Sequence, residues 1–407
     1  MNKWIAGVFA AALTGSSAFA GMSAPAPTAK DLVVEVDEVN FVETAQKGIV
    51  LSGYVDAGYS YNFISRSSGA AFTSRVPGND ATAGGKFQLN ALKLALEKAL
   101  TDENKLQAGF RADLLVGEDA AFVGGQNGAS SDSLFLEQAY VSLRVPVGNG
   151  IDVKVGKFVT TLGYEVIERP ANLNITYSYM FQNMIPLWHV GVLAEYAFND
   201  IVDAKFGVVN GANSDGLATV SSVPALLFGL GFTNPGGNAT LGNNVYFAPR
   251  SGNDAANFGI GGTGPIVIYD VVGNWMPKFA NDKLLLGFNA DIGNFNGGGA
   301  LAPSTWWGAA VYAKYQFTDL FSLASRGEYV NNYNDQKFFN GGGVTPPGAV
   351  GPSTDLWSWT LTAGFDLAEN LLFRTEYRLD LGNKPVGGAF GTSDVGHTVA
   401  AQVVYSF

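Results

Sequence analysis

From Gly48 to Phe407 the chain alternates apolar and polar residues with a period of two, in runs of about ten residues. In residues 371–381 one parity holds Leu371, Phe373, Thr375, Tyr377, Leu379 and Leu381, and the other holds Leu372, Arg374, Glu376, Arg378 and Asp380. A strand places successive side chains on opposite faces, so four charges share one face and the apolar residues the other; a helix would scatter both sets. The same division separates Ala108, Phe110, Ala112 and Leu114 from Gln107, Arg111 and Asp113, and Trp357, Trp359, Leu361, Ala363 and Phe365 from Ser358, Thr360, Thr362 and Asp366. Ten residues is the length of a tilted strand crossing a hydrocarbon layer. Period and length together predict an all-β chain.

The connections between runs alternate in length. Short polar turns occur at 101–104, 147–150, 199–200, 234–238, 281–282, 318–319 and 368–370. Between them lie longer Gly-, Ser- and Asn-rich stretches at 64–86, 117–133, 159–187, 211–224, 249–263, 293–304, 332–354 and 382–394. Short turns on one side and long loops on the other are the pattern of a transmembrane antiparallel up-and-down β-barrel. Two strands flanking each of eight loops give sixteen; the count falls to fourteen if 225–233 and 239–248 belong to one long loop. The last run, Val399 to Phe407, is again amphipathic and ends on phenylalanine, and a soluble sandwich is the alternative it disfavours.

Cost decides which face meets lipid. An arginine on the lipid face near the midplane costs roughly 2–4 kcal/mol, so Arg374 and Arg378 on one strand must face the lumen. Tyr59, Tyr61, Phe63, Trp188, Phe198, Trp275, Phe317 and Phe365 then fall outward near strand ends, where aromatic girdles sit. Two faults remain: Glu137 falls on the apolar parity, and Glu97-Lys98 interrupts the alternation, which a bulge or headgroup-level exposure would explain.

Residues 1–20 read as an export signal, with Lys3, an apolar stretch from Trp4 to Leu13 and Ala18-Phe19-Ala20 before Gly21. Residues 21–47, opening Ala24-Pro25-Ala26-Pro27 and then acidic, read as a periplasmic linker, leaving 48–407 as the barrel. The chain has no cysteine, which excludes a disulfide framework, a thiolate metal site and a cysteine nucleophile. Its net charge of −11 argues against nucleic acid as partner. Loss of Lys3 makes that −12, and setting aside the −3 linker leaves −9 for the barrel, which predicts a mild cation preference.

The run Gly156-Lys157-Phe158-Val159-Thr160, followed by Leu162-Gly163-Tyr164-Glu165-Val166-Ile167-Glu168, Tyr177-Ser178 and His189-Val190-Gly191, resembles the putative β-barrel porin-2 (OmpL-like) family. Gly53-Tyr54-Val55-Asp56, Leu136-Glu137-Gln138-Ala139-Tyr140-Val141 and Asn281-Asp282-Lys283-Leu284 extend the resemblance over the barrel. It implies an outer-membrane porin and does not set the substrate. The glycine-rich 211–264 region departs from the family pattern.

Nothing in the sequence assembles a cofactor or catalytic site. His189 and His397 are the two histidines and lack a second at ligand spacing. A lipase would need His397 beside a serine such as Ser393. Gly259-Ile260-Gly261-Gly262-Thr263-Gly264 lacks the lysine of a phosphate loop, and Asn213-Ser214-Asp215-Gly216 and Asn253-Asp254 lack an EF-hand's carboxylate spacing.

The candidate functional surface is the lumen. Lys93, Arg111, Arg144, Lys154, Lys205, Lys314, Arg326, Arg374 and Arg378 project inward by parity, as do Asp56, Glu97, Asp113, Asp152, Glu195, Asp203, Asp291, Glu328, Glu376 and Asp380. Such balanced sets predict cross-strand pairing rather than a ring of one sign. The 159–187 loop, carrying Glu165, Glu168, Arg169, Tyr177 and Tyr179 with Pro170 and Pro186, is the constriction candidate; it should fold inward with Glu165, Glu168 and Arg169 facing Arg326, Arg374 and Arg378. His189, inward beside it, reads as a tie for that loop.

The function predicted is passive diffusion of small hydrophilic solutes or ions through an outer-membrane pore, with lipid around it and no cofactor or chemical step. A non-conducting structural or adhesive barrel plugged by its loops is the rival, and an outer-membrane enzyme the third reading. The sequence leaves open whether three copies assemble into a homotrimer.

Overall fold

A computed structural model describes residues 48–63, 84–125, 133–215, 223–250, 264–297, 303–333, 354–382 and 395–407. The signal and linker of residues 1–47, Gly259 to Thr263, Asn253-Asp254 and Ser393 lie outside them.

The alternating runs become sixteen antiparallel strands that close into one barrel. In chain order they are β1 (Val50–Asn62), β2 (Gly84–Lys98), β3 (Gln107–Val116), β4 (Leu134–Val145), β5 (Ile151–Val159), β6 (Trp188–Ala197), β7 (Val202–Val209) and β8 (Ala225–Thr233). The second half holds β9 (Ala239–Ala248), β10 (Ile266–Trp275), β11 (Leu284–Phe295), β12 (Ser304–Gln316), β13 (Phe321–Tyr333), β14 (Thr354–Ala368), β15 (Leu371–Gly382) and β16 (Val395–Ser406). Each strand pairs with its neighbours in sequence, and β1 pairs with β16, Ala57 opposite Val403, so no edge is left unpaired. The glycine-rich pair is therefore a true hairpin, with Gly231 opposite Gly242, and the fourteen-strand alternative is excluded. No helix of the described residues is long and apolar enough to cross a membrane; the chain crosses with strands.

Exposure follows the predicted faces. Phe63, Phe198, Trp275, Phe317, Trp357 and Trp359 are exposed on the outer surface, while Arg326, Arg374 and Arg378 are buried on the inner one. Glu137 resolves its own fault. The register between β3 and β4 slips between Asp113 and Leu114, so Glu137 is the extra residue of a bulge and turns inward, fully buried. Glu97 also points inward, directly opposite Arg111. Trp188 is a correction. It occupies outward parity but is wholly buried, with the Lys157 ammonium 3.7 Å above its ring and Phe135 alongside.

Among the described residues, two of the long connections depart from the plain loops expected. The 117–133 stretch contains helix α1 (Glu118–Gly125), and the connection after β5 contains a 3-10 turn (Arg169–Ala171) and helix α2 (Tyr179–Asn183).

Candidate functional site

Residues 160–187, between β5 and β6, form a strap that packs into the lumen against the walls from β10 round to β2. Its path is set locally by a few residues. Gly163 takes φ +91°, a left-handed conformation that suits glycine. Asn172 accepts from the Val166 amide at 2.9 Å and donates to its carbonyl at 2.8 Å, bracing the bend. Pro170 opens the 3-10 turn, and Ser178 caps α2 by accepting from the Phe181 amide.

The inward charges of β13 and β15 bind this strap chiefly through its main chain. Arg326 donates to Glu165 Oε1 at 2.6 Å and to the Thr176 carbonyl at 2.7 Å. Arg378 donates to the Tyr177 carbonyl at 2.6 Å and to Asp380 at 2.8 Å, with its guanidinium 4.7 Å from the Tyr179 ring. Arg374 holds the Asn172 and Arg169 carbonyls at 2.6 and 3.0 Å. Glu376 accepts from the Ile175 and Thr176 amides, and Glu328 from the Tyr179 amide at 2.8 Å. The strap has few regular hydrogen bonds of its own, so these side chains satisfy main-chain groups that would otherwise be buried unpaired.

The strap also joins the second long connection. Arg169 forms a buried ion pair with Asp119 of α1, and Phe122 of α1 stacks on Tyr177 with centroids 5.6 Å apart. Glu168 pairs with Lys93 of β2, whose ammonium also lies 3.1 Å from Asp113 and 3.2 Å from Glu137. Burial raises the Glu168 carboxyl, but the Lys93 ammonium outweighs it and holds the group below the ordinary carboxylate range. Burial pushes Asp119 up, with the Arg169 charge opposing. Asp113, Glu137 and Glu168 bring their oxygens within 4.8 Å of one another, and the ammonium among them supplies the cation.

The expected facing pairs are thus realised in part. Glu165 meets Arg326 as predicted, whereas Glu168 meets Lys93 rather than an arginine of β13 or β15. Arg169 turns its guanidinium to Asp119, a residue the sequence reading passed over, and offers only its carbonyl to Arg374. His189 contacts Thr160 Oγ1 at 3.1 Å and the Gly211 carbonyl at 2.8 Å, which ties the strap's start to the next connection. Tyr164, not singled out by sequence, stacks on Tyr312 at 4.2 Å and donates to Asn274 at 2.7 Å.

Elsewhere the inner wall carries direct cross-strand pairs. Arg144 meets Asp152 at 2.6 Å, Lys154 meets Glu195 at 3.3 Å, and Arg111 meets Glu97 at 3.1 Å. Glu195 also stands opposite Lys205 in the register. Asp291 lies opposite Asp270, and both accept from Asn289; parity would have found Asp270 too. Lys314 is half-buried near the short turns. His397, outward and exposed, is 2.7 Å from the Tyr377 hydroxyl.

A family profile described as putative β-barrel porin-2, OmpL-like, matches residues 48–407. No curated protein is significantly similar to the chain. Among solved structures, the outer membrane channel DcaP of Acinetobacter baumannii is 13% identical, with a TM-score of 0.59 over 88% of this chain and 97% of that one. The anion-selective porin from Comamonas acidovorans is 11% identical, with a TM-score of 0.60 over 88% and 99%. The trimer form of OmpT, an outer membrane protein of Vibrio cholerae, is 10% identical, with a TM-score of 0.53 over 88% and 99%. At these identities the likeness is one of fold.

Proposed function

The chain belongs to the putative β-barrel porin-2, OmpL-like family, and from that premise we propose that it passes small hydrophilic solutes through a lumen narrowed by the 160–187 strap. The protein is an outer-membrane β-barrel porin, and its family and fold are those of a channel rather than an enzyme. The observation that carries the proposal is the docking of the strap. Arg326, Arg374 and Arg378 all hold its main chain, and Arg326 and Arg378 are fully buried beneath it. A segment held so firmly across the interior sets the width of whatever path remains, and pore width with fixed charge sets selectivity. Diffusion down a gradient needs no chemical step from the protein.

One observation favours a plugged barrel. Leu193, Leu227, Tyr246, Ile268 and Trp306 lie on one row of the inner wall and are buried to 1% exposure or less. Planar-bilayer recording separates the two readings. A porin gives discrete conductance steps, and deletion of residues 168–183 raises the step size severalfold. Purified protein that inserts without conducting rejects the channel, and an unchanged step in the deletion rejects the strap as its narrowest part. A homotrimer is proposed on the trimer form of the OmpT relative; sedimentation in detergent at one barrel mass would reject it.

A further inference from the structure

The lumen holds two classes of charge, and they differ in access to water. Those under the strap are enclosed: Arg326 and Arg378 have no exposed surface, and Glu165, Arg169 and Arg374 retain at most 5%. Each binds the strap, the wall or α1. An ion crossing the barrel cannot approach them without displacing the strap.

The second class includes a group on β5, β6 and β7, beside the short turns and next to the half-exposed Arg144–Asp152 pair, whose two charges also sum to zero. The side chains of Lys154 and Glu195 retain 25% and 23% exposure, and Asp203 and Lys205 are likewise half-exposed. Register places Lys205 directly opposite Glu195, with Asp203 two residues nearer the turn. The neighbouring wall makes room for them, because Gly229 and Gly231 of β8 and Gly242 of β9 face inward and are half-exposed, and the Lys205 and Asp203 side chains lie over Gly229 and Gly231. The register seats Lys205 beside Gly229 and Asp203 beside Gly231. Four charges of alternating sign therefore share the space left by inward glycines, with Asn244 of β9 opposite Gly229.

We infer, on the channel reading above, that Lys154, Glu195, Asp203 and Lys205 are the specificity-determining residues for permeating ions, and that the charges of the strap are not. Two positive and two negative groups sum to zero, so the filter passes small ions of either sign with little preference. The −9 of the whole barrel then has little influence, because distant charges are screened within about 8–10 Å at physiological salt.

Reversal potentials in a potassium chloride gradient test this. The unaltered channel should show a potassium-to-chloride permeability ratio within about twofold of unity. Replacing Lys154→Gln with Lys205→Gln should raise the ratio by roughly three- to tenfold, as expected for losing two charges a few ångströms from the ion's path. Glu195→Gln with Asp203→Asn should lower it by a similar factor. The single Lys205→Gln, a milder change, should move it in the same direction as its double. Conducting variants whose ratios stay within about twofold of the parent overturn the assignment while leaving the channel reading intact. A parent protein that does not conduct overturns both.

Discussion

On β13 and β15 the inward charges Arg326, Glu328, Arg374, Glu376 and Arg378 are buried beneath the strap, whereas on β5 to β7 Asp152, Lys154, Glu195 and Lys205 stand half-exposed above the short turns. Both sets follow from the same parity and the same residue types. On the first wall the groups are partnered by main-chain carbonyls and amides of a distant segment, at 2.5 to 3.0 Å for Arg374 and Glu376. On the second they are partnered by the adjacent strand, as Arg144 is by Asp152. A buried charge commits its partners, because removing it leaves them unpaired in a poorly solvated place. An exposed pair commits little, since water can replace either member. The difference divides the inward charges into a set that holds the strap and a set that stands half-exposed to water.

The largest way to break this division is at Arg378. Arg378→Met takes the arginine partner from both Asp380 and the Tyr177 carbonyl, and should weaken strap docking by roughly 3–5 kcal/mol. Protease nicking within 160–187 should rise, and the conductance step should grow toward that of the strap deletion. Equal nicking in variant and parent would show that the arginine does not hold the strap.

Acid is a milder probe. Glu168 is held below the ordinary carboxylate range, so its contribution is complete at neutral pH and is lost only as pH falls through that lowered value. Asp119 is raised, so it takes up its proton first, and that uptake favours the docked state in which its affinity for the proton is higher. Conductance should therefore hold steady from pH 7 to about 5 and rise only below about 4. A rise confined to pH 5–6 would contradict the sign of both effects.

The smallest expected effect is on the open wall. Gly242→Leu puts a side chain into the half-exposed stretch, where a new Cβ would meet Val272 at 3.1 Å. It should lower the conductance step by under about twofold and leave nicking of the strap unchanged. Increased nicking would mean that the two walls are not independent.

Much of this was legible in advance, for reasons visible in particular residues. Arg374, Glu376, Arg378 and Asp380 fixed their strand's inner face, because period two admits only one assignment once the cost of lipid exposure is counted. Asp119 was not legible. Its partner Arg169 lies fifty residues away, and the helix that carries it sits in a stretch whose Gly, Ser and Asn content reads as loop. Glu137 was legible only as an exception, since a single inserted residue reverses parity without leaving a mark in composition. Trp188 misled because parity describes the strand alone and knows nothing of what covers its end.

The sequence by itself determined the barrel and its two faces and pointed to the segment that enters the lumen, while the pairing of β8 with β9 decided sixteen strands over fourteen. The barrel and its faces depend on neighbours one and two residues apart, or on turn chemistry at fixed intervals. Only the tertiary structure decided which inward charges remain in water. Burial depends on where a distant strap comes to rest, and alternation treats Arg378 and Lys205 alike although one is enclosed and the other meets the lumen.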